Sequence, residues 1–434
     1  MRKYCPEDLT HAWALHRALR ESLPRRTRIQ GYRADWETAF RQNPTDPSQA
    51  KMLVELQWNA DWRAPCAIES AGQPFGGKAA QFNYIRDSQA MVAIGRTELA
   101  LLVSHYVDDT WGLEPDYAAH LAWALWLELH ALVGWRLDLG KSPPPTYTFR
   151  LLGGDLHVGE QEPYGVLPVD KADKIVETID NCIHSGRLTP AQASSIRGKF
   201  QWARTFTWGR WGAAVVAPLA ERQHSKHTVL TPALVSALNA AKAVLRDLGG
   251  KPMPANLHDP QLHVTVSDGE GTGSVAVGWW QPRNPAWQPR LVQAEIPETW
   301  REGWAAQAIT QIEACGPLLA FRTWKGLRNG LWLHFVDNEG AKFALIRGSA
   351  SVLSLSQITH TIWCEARSRR LYVWVDRVAS SDNPVDGASR RDLRDLHGAG
   401  WIVQEAPRAW TQGLWTPSLL PRGWTMRGGG ALEL

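Results

Sequence analysis

The amino-acid sequence predicts an α+β protein built from several domains. The chain has 434 residues, which is more than a single hydrophobic core usually serves. Hydrophobic residues make up 44% of it and charged residues 21%, a composition typical of folded globular proteins. The pattern of the chain changes near residue 261. Helical and extended segments are mixed before this point, and short strands alternate with helices after it, which favours a central sheet covered by helices.

The cysteines and the apolar segments indicate the cellular setting. Five scattered cysteines show neither zinc-ligand nor redox spacing, and their odd number argues against the disulfide framework of a secreted protein. No apolar run is long enough to span a membrane, and the N-terminus does not resemble a secretory signal. We therefore expect an intracellular protein, in the cytoplasm or the nucleus, with no membrane partner.

Basic residues are concentrated in two segments, although the net charge is only +4. Residues 1–34 hold eight lysines and arginines against three acids, and residues 197–226 hold six against one. Such patches suit contact with a phosphate backbone. Taken alone, a solvated basic surface is an equally good interpretation.

Several elements are predicted before residue 261. A tripeptide Leu188-Thr189-Pro190 marks a helix start, with Thr189 as the N-cap and Pro190 at the first helical position. The other predicted elements are a strand at Glu98–Tyr106, a helix at Tyr117–Arg136, an extended segment at Thr146–Val158, two or three helices within residues 170–222, and a helix near Ala233–Leu248.

The C-terminal half predicts alternating strands and helices. The expected elements are strands at Leu262–Ser267 and Ser274–Trp280, a helix at Glu302–Trp324, a strand at Leu331–Val336, a helix at Glu339–Arg347 and a strand at Leu371–Val375. Pro317 lies inside the first of these helices, so a kink is expected there. The last forty or so residues are rich in Gly, Pro and Trp and are interpreted as a loosely ordered tail.

Two neighbouring aspartates, Asp108 and Asp109, follow an apolar segment in a predicted hairpin turn. Adjacent carboxylates repel each other, and a divalent cation such as Mg²⁺ would relieve that repulsion. An ordinary Asp-rich turn is the simpler explanation for this pair by itself.

Four separated carboxylates form a second candidate set in the C-terminal half. Asp268 and Asp337 end two predicted strands, Glu313 lies in a predicted helix, and Asp386 opens the last one. Side chains at adjacent strand ends and on facing helices can converge, and four such groups would require cations. Each of them singly is better explained as a surface charge or a helix cap.

The order and spacing of motifs in residues 31–222 resemble the reverse transcriptases of long-terminal-repeat and tyrosine-recombinase retroelements. The matching strings are Asp35–Gln42 (DWETAFRQ), Gln73–Phe82 (QPFGGKAAQF) and Tyr106–Asp109 (YVDD). Asp35 and Asp108 are 73 residues apart, which is normal for that family. Lys141, Leu152-Gly153 and the helical segment after residue 166 continue the resemblance through the family's helical thumb.

The resemblance implies a polymerase site in which Asp35 and Asp108, with Asp109 in support, bind two metal ions, Mg²⁺ or Mn²⁺. It implies that Phe40 lies under the sugar and leaves no room for a 2′-hydroxyl. Gly76 would allow close approach of the template and the nucleotide. Residues expected to contact substrate are Phe40, Gly76, Lys78, Tyr106 and Lys141, although a structural role for Lys78 is at least as good an explanation.

The four C-terminal carboxylates resemble the ribonuclease H domain of the same polymerases. Two strings carry the likeness, VDNEGA around Asp337 and NPVDGASR around Asp386. The implied set of catalytic residues and metal ligands is Asp268, Glu313, Asp337 and Asp386, again with two metal ions. Glu313 is the weakest of them, because Pro317 follows it in the same helix. The implied reaction is hydrolysis of the RNA strand of an RNA–DNA hybrid.

The resulting architecture is a reverse transcriptase palm and helical thumb followed by an α/β ribonuclease H-like domain. The predicted divisions are partial fingers at 1–34, palm with a finger insertion at 35–160, thumb at 161–222, connector at 223–260, ribonuclease H-like domain at 261–392 and tail at 393–434. Only 34 residues precede Asp35, so the fingers are expected to be truncated. The chain shows no gag-like zinc knuckle, protease motif or integrase, and is interpreted as a fragment of a polyprotein, a processed product or the product of a decayed element.

Two functions remain open. The first is an RNA-directed DNA polymerase with ribonuclease H activity, whose partners are an RNA template, a DNA primer, dNTPs and an RNA–DNA hybrid. The second is a non-catalytic nucleic-acid-binding remnant of such a polymerase.

Overall fold

The structure of the chain is a computed structural model. It describes residues 9–411 except 51–53, 70, 74–77, 160–162, 208, 247–250, 253–260, 302–303, 305–307 and 409, together with two short strands at 425–426 and 432–433. The chain divides into two compact units. One contains residues 1–168 with 252–255, and the other contains residues 169–251 with 256–434.

Helices and strands are mixed along both units, as the sequence predicts. The helices are α1 Leu9–Ser22, α2 Pro47–Ala50, α3 Lys78–Glu98, α4 Asp116–Val133, α5 Val169–Ser185, α6 Pro190–Ala203, α7 Val216–Gln223, α8 Pro232–Leu245, α9 Glu298–Arg301, α10 Ile309–Ala314, α11 Gly316–Thr323, α12 Glu339–Arg347, α13 Leu353–Ser368, α14 Asp386–Ser389 and α15 Arg394–Gly398. The strands are β1 Ile29–Trp36, β2 Val54–Asn59, β3 Ala64–Glu69, β4 Val103–Tyr106, β5 Asp109–Pro115, β6 Leu137–Asp138, β7 Thr148–Leu151, β8 Gly154–His157, β9 Tyr164–Val166, β10 Lys251–Pro252, β11 Gln261–Gly269, β12 Ser274–Trp280, β13 Arg290–Glu295, β14 Gly330–Val336, β15 Leu371–Arg377, β16 Ile402–Glu405, β17 Thr425–Met426 and β18 Leu432–Glu433.

The first unit is organised around a four-stranded sheet in the order β4-β5-β1-β6. Its central strand β1 pairs antiparallel with both β5 and β6. Helices α3 and α4 pack against this sheet and bury a core that includes Trp36, Tyr84 and Trp126. Trp126 donates a hydrogen bond to Thr110, and Thr110 donates one to the carbonyl of Ala34, so the core also ties β5 to β1.

One strand of this unit is shorter than the sequence predicts. The strand expected at Glu98–Tyr106 begins only at Val103, because helix α3 continues through Glu98. Ala100 then takes a left-handed conformation, with a φ of 53°, and the amide of Leu101 donates to the carbonyl of Gly95. The apolar residues before Val103 therefore close the helix instead of extending the sheet.

Four helices, α5 to α8, open the second unit. Helix α6 begins at the predicted place, with a capping box in which Thr189 and Gln192 satisfy each other's main-chain amides. Helix α8 packs against α5 and α7, so the segment interpreted as a connector contains a member of this helical group. Arg210 reaches from these helices to the carbonyl of Ile346 at the end of α12.

The remainder of the second unit is a six-stranded mixed sheet in the order β15-β14-β11-β12-β13-β16. Strands β11, β14 and β15 run parallel, whereas β12 is antiparallel to both of its neighbours. Large buried side chains such as Trp279, Phe321 and Trp332 fill the core beside α11 to α13. The parallel pairing matters for the site, because it brings the C-terminal ends of β11 and β14 to the same edge.

Two expectations for this domain need correction. The helix predicted at Glu302–Trp324 is divided, since α10 ends at Ala314 and α11 starts at Gly316 with Pro317 in its first turn. The proline, which has no amide hydrogen, is tolerated in a first turn. The predicted loose tail also contains β16, which pairs in parallel with β13 and forms an edge of the sheet.

The cysteines in the described part of the chain form no disulfide. These cysteines are Cys66, Cys182, Cys315 and Cys364. Among the helices described, none combines the length and the apolar character needed to cross a membrane.

Candidate active sites

The first candidate site lies at one end of the four-stranded sheet in the first unit. Asp35 is the seventh residue of β1, and its strand register places it directly opposite Asp109 of β5. Asp109 in turn faces Tyr106 across the β4–β5 hairpin, and Asp108 lies in the turn between them. Residues 35 and 109, which are 74 positions apart in sequence, are thus cross-strand neighbours, a separation of about 5 Å between Cα atoms.

The hairpin turn that carries Asp108 has a strained residue. Val107 takes a φ of 58°, a left-handed conformation that a β-branched residue rarely adopts. Ser88 of α3 donates a hydrogen bond from its hydroxyl to the carbonyl of Val107 at 3.0 Å. The helix therefore holds the turn in place, and the strain lies next to the clustered carboxylates.

Burial and mutual repulsion both act on these carboxylates. Burial raises the pKa of Asp109 to about 6, and the charges of Asp108 and Asp35 add to the shift. Burial likewise raises the pKa of Asp108, with a further contribution from Asp35. Both shifts show that the ionised form of the cluster is costly without a cation.

Lys141 supplies one positive charge to this site. Its ammonium lies 3.0 Å from a carboxylate oxygen of Asp35 and 3.2 Å from one of Asp138. Asp138 is also opposite Asp35 in the β1–β6 pair. The carboxylate oxygens of Asp35, Asp108 and Asp109 do not all lie within 4.8 Å of one another.

The remaining predicted substrate residues of this unit occupy different environments. Phe40 lies in a short 3₁₀ helix after Asp35, with its ring centroid 4.7 Å from that of Tyr84. Tyr106 ends β4 beside the acidic turn. Lys78 begins α3, and Gly76 falls outside the described residues. The substrate roles of all four stay predictions.

The second candidate site lies at the C-terminal edge of the six-stranded sheet. Asp268 is near the end of β11, and Asp337 directly follows β14. Glu313 reaches them from the short helix α10. Carboxylate oxygens of these three residues all lie within 4.8 Å of one another. Three of the four predicted carboxylates therefore meet in one place, although Pro317 follows Glu313 closely.

The largest pKa shift among these carboxylates exceeds the largest one in the first site. Burial raises the pKa of Glu313 to about 9, and the Asp337 carboxyl group adds to the shift. Burial raises the pKa of Asp268 to about 6, with contributions from Asp337 and Asp386. One oxygen of Glu313 accepts a hydrogen bond from the amide of Asn338 at 3.1 Å, which orients the group toward Asp337.

The donor set fits a divalent cation. The Oδ1 atom of Asp337 is buried without a hydrogen-bond partner, whereas its Oδ2 accepts from the hydroxyl of Ser380 at 3.0 Å. An unsatisfied buried carboxylate oxygen is costly, and a hard cation would satisfy it. The residues that would hold the ion are Asp268, Glu313 and Asp337.

Asp386 lies in the same cavity but is engaged elsewhere. The four predicted carboxylates line a common space of about 250 Å³. Asp386 accepts from Arg390, one turn further along, with 2.8 Å between the two side chains. It is the one predicted ligand of this domain that an arginine already neutralises.

Several residues that the sequence interpretation did not single out complete this site. Ser380, Ser389 and Arg390 line the cavity, and Ser389 hydrogen-bonds to Asp268. Asn383 is buried and ties its own loop to β11. Asn383 is the first residue of the NPVD string that contains Asp386, and this short separation was the signal by which the sequence could have indicated Asn383.

Comparison with known proteins found similarity among solved structures. No protein-family model matches it, and no curated protein matches it significantly. Similar solved structures include a foamy viral protease-reverse transcriptase dRH with double-stranded DNA (14% identity, TM-score 0.40, covering 80% of this chain and 56% of that one). Another is a foamy viral protease-reverse transcriptase with an RNA/DNA hybrid (14% identity, TM-score 0.41, covering 80% of this chain and 44% of that one). A third is the same kind of protein with double-stranded DNA (14% identity, TM-score 0.41, covering 80% of this chain and 67% of that one).

The chain thus spans roughly half of the length of the first two of those structures. At these TM-scores the likeness is too distant to carry an argument about fold or activity. The interpretation of the two acidic sites therefore depends on the residues of this chain alone.

Proposed function

We propose that the chain is a metal-dependent nuclease of ribonuclease H type, which hydrolyses the RNA strand of an RNA–DNA hybrid. The observation that carries the proposal is the convergence of Asp268, Glu313 and Asp337 within 4.8 Å, with an oxygen of Asp337 left unsatisfied. A divalent cation, Mg²⁺ or Mn²⁺, would supply an activated water and neutralise charge on the scissile phosphate. The strings VDNEGA and NPVDGASR, which resemble those of the ribonuclease H domain of retroelement polymerases, agree with this function.

The protein's own residues set the conditions for this reaction. Glu313 and Asp268 must be ionised to bind a cation, and the pKa of Glu313, raised to about 9, means that at neutral pH a bound ion has to displace its proton. Asn338 and Ser380 orient Glu313 and Asp337 through hydrogen bonds. Asp386 joins the set only when it separates from Arg390.

A second activity, RNA-directed DNA synthesis, is proposed for the first unit. The supporting observation is the cross-strand pairing of Asp35 with Asp109, next to Asp108 in a strained turn. A pair of divalent cations there would activate the primer 3′-hydroxyl and neutralise the leaving pyrophosphate. Lys141, which contacts Asp35, would have to yield part of that contact. The substrates would be an RNA template, a DNA primer and dNTPs, with Phe40 as the sugar gate.

One experiment on the full chain tests both activities. Cleavage of an RNA–DNA hybrid with labelled RNA and extension of a DNA primer on an RNA template are measured side by side with Mg²⁺ or Mn²⁺. Asp337→Asn should abolish cleavage and leave extension, and Asp35→Asn should do the reverse. Asp395→Asn, at an exposed position of α15, is the control that should change neither.

The outcomes separate the two hypotheses. If the parent chain binds the hybrid but neither cleaves nor extends, both proposed activities are wrong and the non-catalytic remnant is favoured. Loss of both activities in Asp337→Asn would mean that the variant is misfolded or that the two reactions share a site, against two independent centres.

A further inference from the structure

A large cavity lies in the second unit, away from the carboxylates described above. It has a volume of about 920 Å³, within the usual range for small-molecule sites. Its walls come from α7, α8, the loop between them and the start of α13. No residue of the proposed nuclease site lines it, so it requires an explanation of its own.

The walls of the cavity are mostly apolar and built from small side chains. Ala217, Pro218, Ala233, Ala237 and Ala240 contribute this surface. Small residues on two helices leave room between the helices, because no large side chain fills the space. A ligand with a flat or compact apolar body would bury its surface there.

A buried positive charge lies in the same wall. Arg222 is only 5% exposed, and it donates to the carbonyls of Leu188, His227 and Val229 at 2.6–3.1 Å. These bonds use three of the five guanidinium N–H groups and hold the loop that borders the cavity. Neutral carbonyls do not cancel the charge, and Arg222 has no carboxylate partner among the described residues.

The mouth of the cavity adds a second cation. Lys226 is exposed there and forms no ion pair with any residue that the structure describes. Glu221 is the one acid in the lining, and it is exposed to solvent. A buried unpaired cation is costly, and an anion that enters the cavity would relieve that cost.

We propose that this cavity binds a small organic acid, a carboxylate on an apolar body, with Arg222 and Lys226 as its charge partners. The apolar body would lie between α7, α8 and α13, where it would contact both the helices that open the second unit and a helix packed on its six-stranded sheet. This site goes beyond the two proposed activities and does not depend on either of them.

The test uses 2-naphthoate as the probe and 2-naphthamide as its neutral isostere. Binding to the full chain is measured by isothermal titration calorimetry and by ligand-observed NMR. The acid should bind saturably, and at least tenfold more tightly than the amide, equivalent to about 1.4 kcal/mol. Added salt should weaken binding of the acid more than binding of the amide, because salt screens the attraction between the carboxylate and the two cations.

Three variants locate the site. Ala237→Phe should abolish binding by filling the cavity. Lys226→Met should weaken binding of the acid roughly threefold, as expected for the loss of one exposed charge. Lys199→Met, at an exposed position of α6 outside the lining, is the matched control and should bind like the parent. Because Ala237→Phe places a larger group against buried helices, its circular dichroism and melting temperature are compared with the parent's.

The outcomes that would overturn the proposal are specific. The first is no saturable binding of the acid up to roughly 10 mM, where the binding free energy falls below about 3 kcal/mol. The second is an amide that binds as tightly as the acid. The third is binding of the acid that is unchanged in a folded Ala237→Phe and in Lys226→Met. The second would reject the anionic ligand class, and the third would place the probe elsewhere.

Discussion

Asn383 donates a hydrogen bond from its side-chain amide to the main-chain carbonyl of Ser267 at 3.2 Å. Ser267 directly precedes Asp268, and Asn383 lies three residues before Asp386. The side-chain carbonyl of Asn383 also accepts from the amide of Val385 at 3.2 Å. This buried asparagine therefore connects the two chain segments that carry Asp268 and Asp386 into the proposed nuclease site.

Removing this connection should impair cleavage without destroying the group of three carboxylates. Asn383→Ala should lower hybrid cleavage by roughly tenfold to a hundredfold, as is typical when a residue that orients metal ligands is lost. Asn284→Ala, at an exposed turn position, is the control. Cleavage at the parent rate in a folded Asn383→Ala would show that the loop of Asp386 is held by other contacts.

The raised pKa of Glu313, about 9, makes the stability of the second unit dependent on pH in the absence of metal. The folded state binds the proton more tightly than the unfolded state, where the pKa of a glutamate is about 4.3. The stabilising contribution is complete below that value and is lost as the pH rises through about 9. Glu313→Gln carries no such proton, so its stability should fall less steeply than the parent's over this interval, in which Asp268 still titrates.

Hydrogen exchange of peptides covering β11 and β14, corrected for the intrinsic pH effect, measures this difference in EDTA. In the parent, Mg²⁺ should restore protection at high pH, because the ionised carboxylates then bind the ion. Equal pH slopes for parent and Glu313→Gln would contradict the assignment of the proton to Glu313.

The ion pair between Arg390 and Asp386 is expected to compete with cation binding. Its side chains are 2.8 Å apart and the arginine is largely exposed, so the pair contributes about 0.2–1 kcal/mol. Arg390→Gln should therefore lower the Mg²⁺ concentration at half-maximal binding by roughly two- to fivefold. The matched control is Arg394→Gln, which breaks the exposed pair with Asp392 outside the site. An unchanged or weaker Mg²⁺ affinity in Arg390→Gln would mean that Asp386 does not take part.

The conformation of Val107 predicts an unusual effect of glycine. At a φ of 58° the valine costs of the order of 1–3 kcal/mol, whereas glycine adopts this conformation freely. Val107→Gly should therefore slow hydrogen exchange in peptides of β4 and β5, with a net gain of roughly 1 kcal/mol after the entropy of the glycine is subtracted. Val169→Gly, at an exposed position with ordinary backbone angles, should lose stability instead. Faster exchange in Val107→Gly would show that the isopropyl group contributes more by packing than it costs by strain.

Local patterns predicted much of the second unit. Strands β11, β12 and β14 and helix α12 follow from alternating or helical hydrophobic periodicity, and Thr189 identifies the start of α6 from its own chemistry. The convergence of Asp268 with Asp337 was also predictable, because both aspartates end strands that a sheet of this kind places side by side.

Other nonlocal relationships could not be predicted from the sequence. The pairing of β16 with β13 joins residues more than a hundred positions apart, and a four-residue strand has too little periodicity to identify. Helix α13 was not predicted, since its buried face includes Ser356, Thr359 and His360 as well as apolar residues. The Arg390–Asp386 pair requires side-chain positions that a motif does not specify.

The brevity of α10 has a kinetic consequence. This helix has six residues, fewer than the length at which an isolated helix is even marginally stable in water. It acquires its form by packing against β11, α12 and α13. Glu313 therefore arrives at its place only after the surrounding sheet has assembled during folding. In pulse-labelling during refolding, amides of residues 309–314 should gain protection after those of β11 and β14, so that metal-binding capacity is among the last properties the protein acquires.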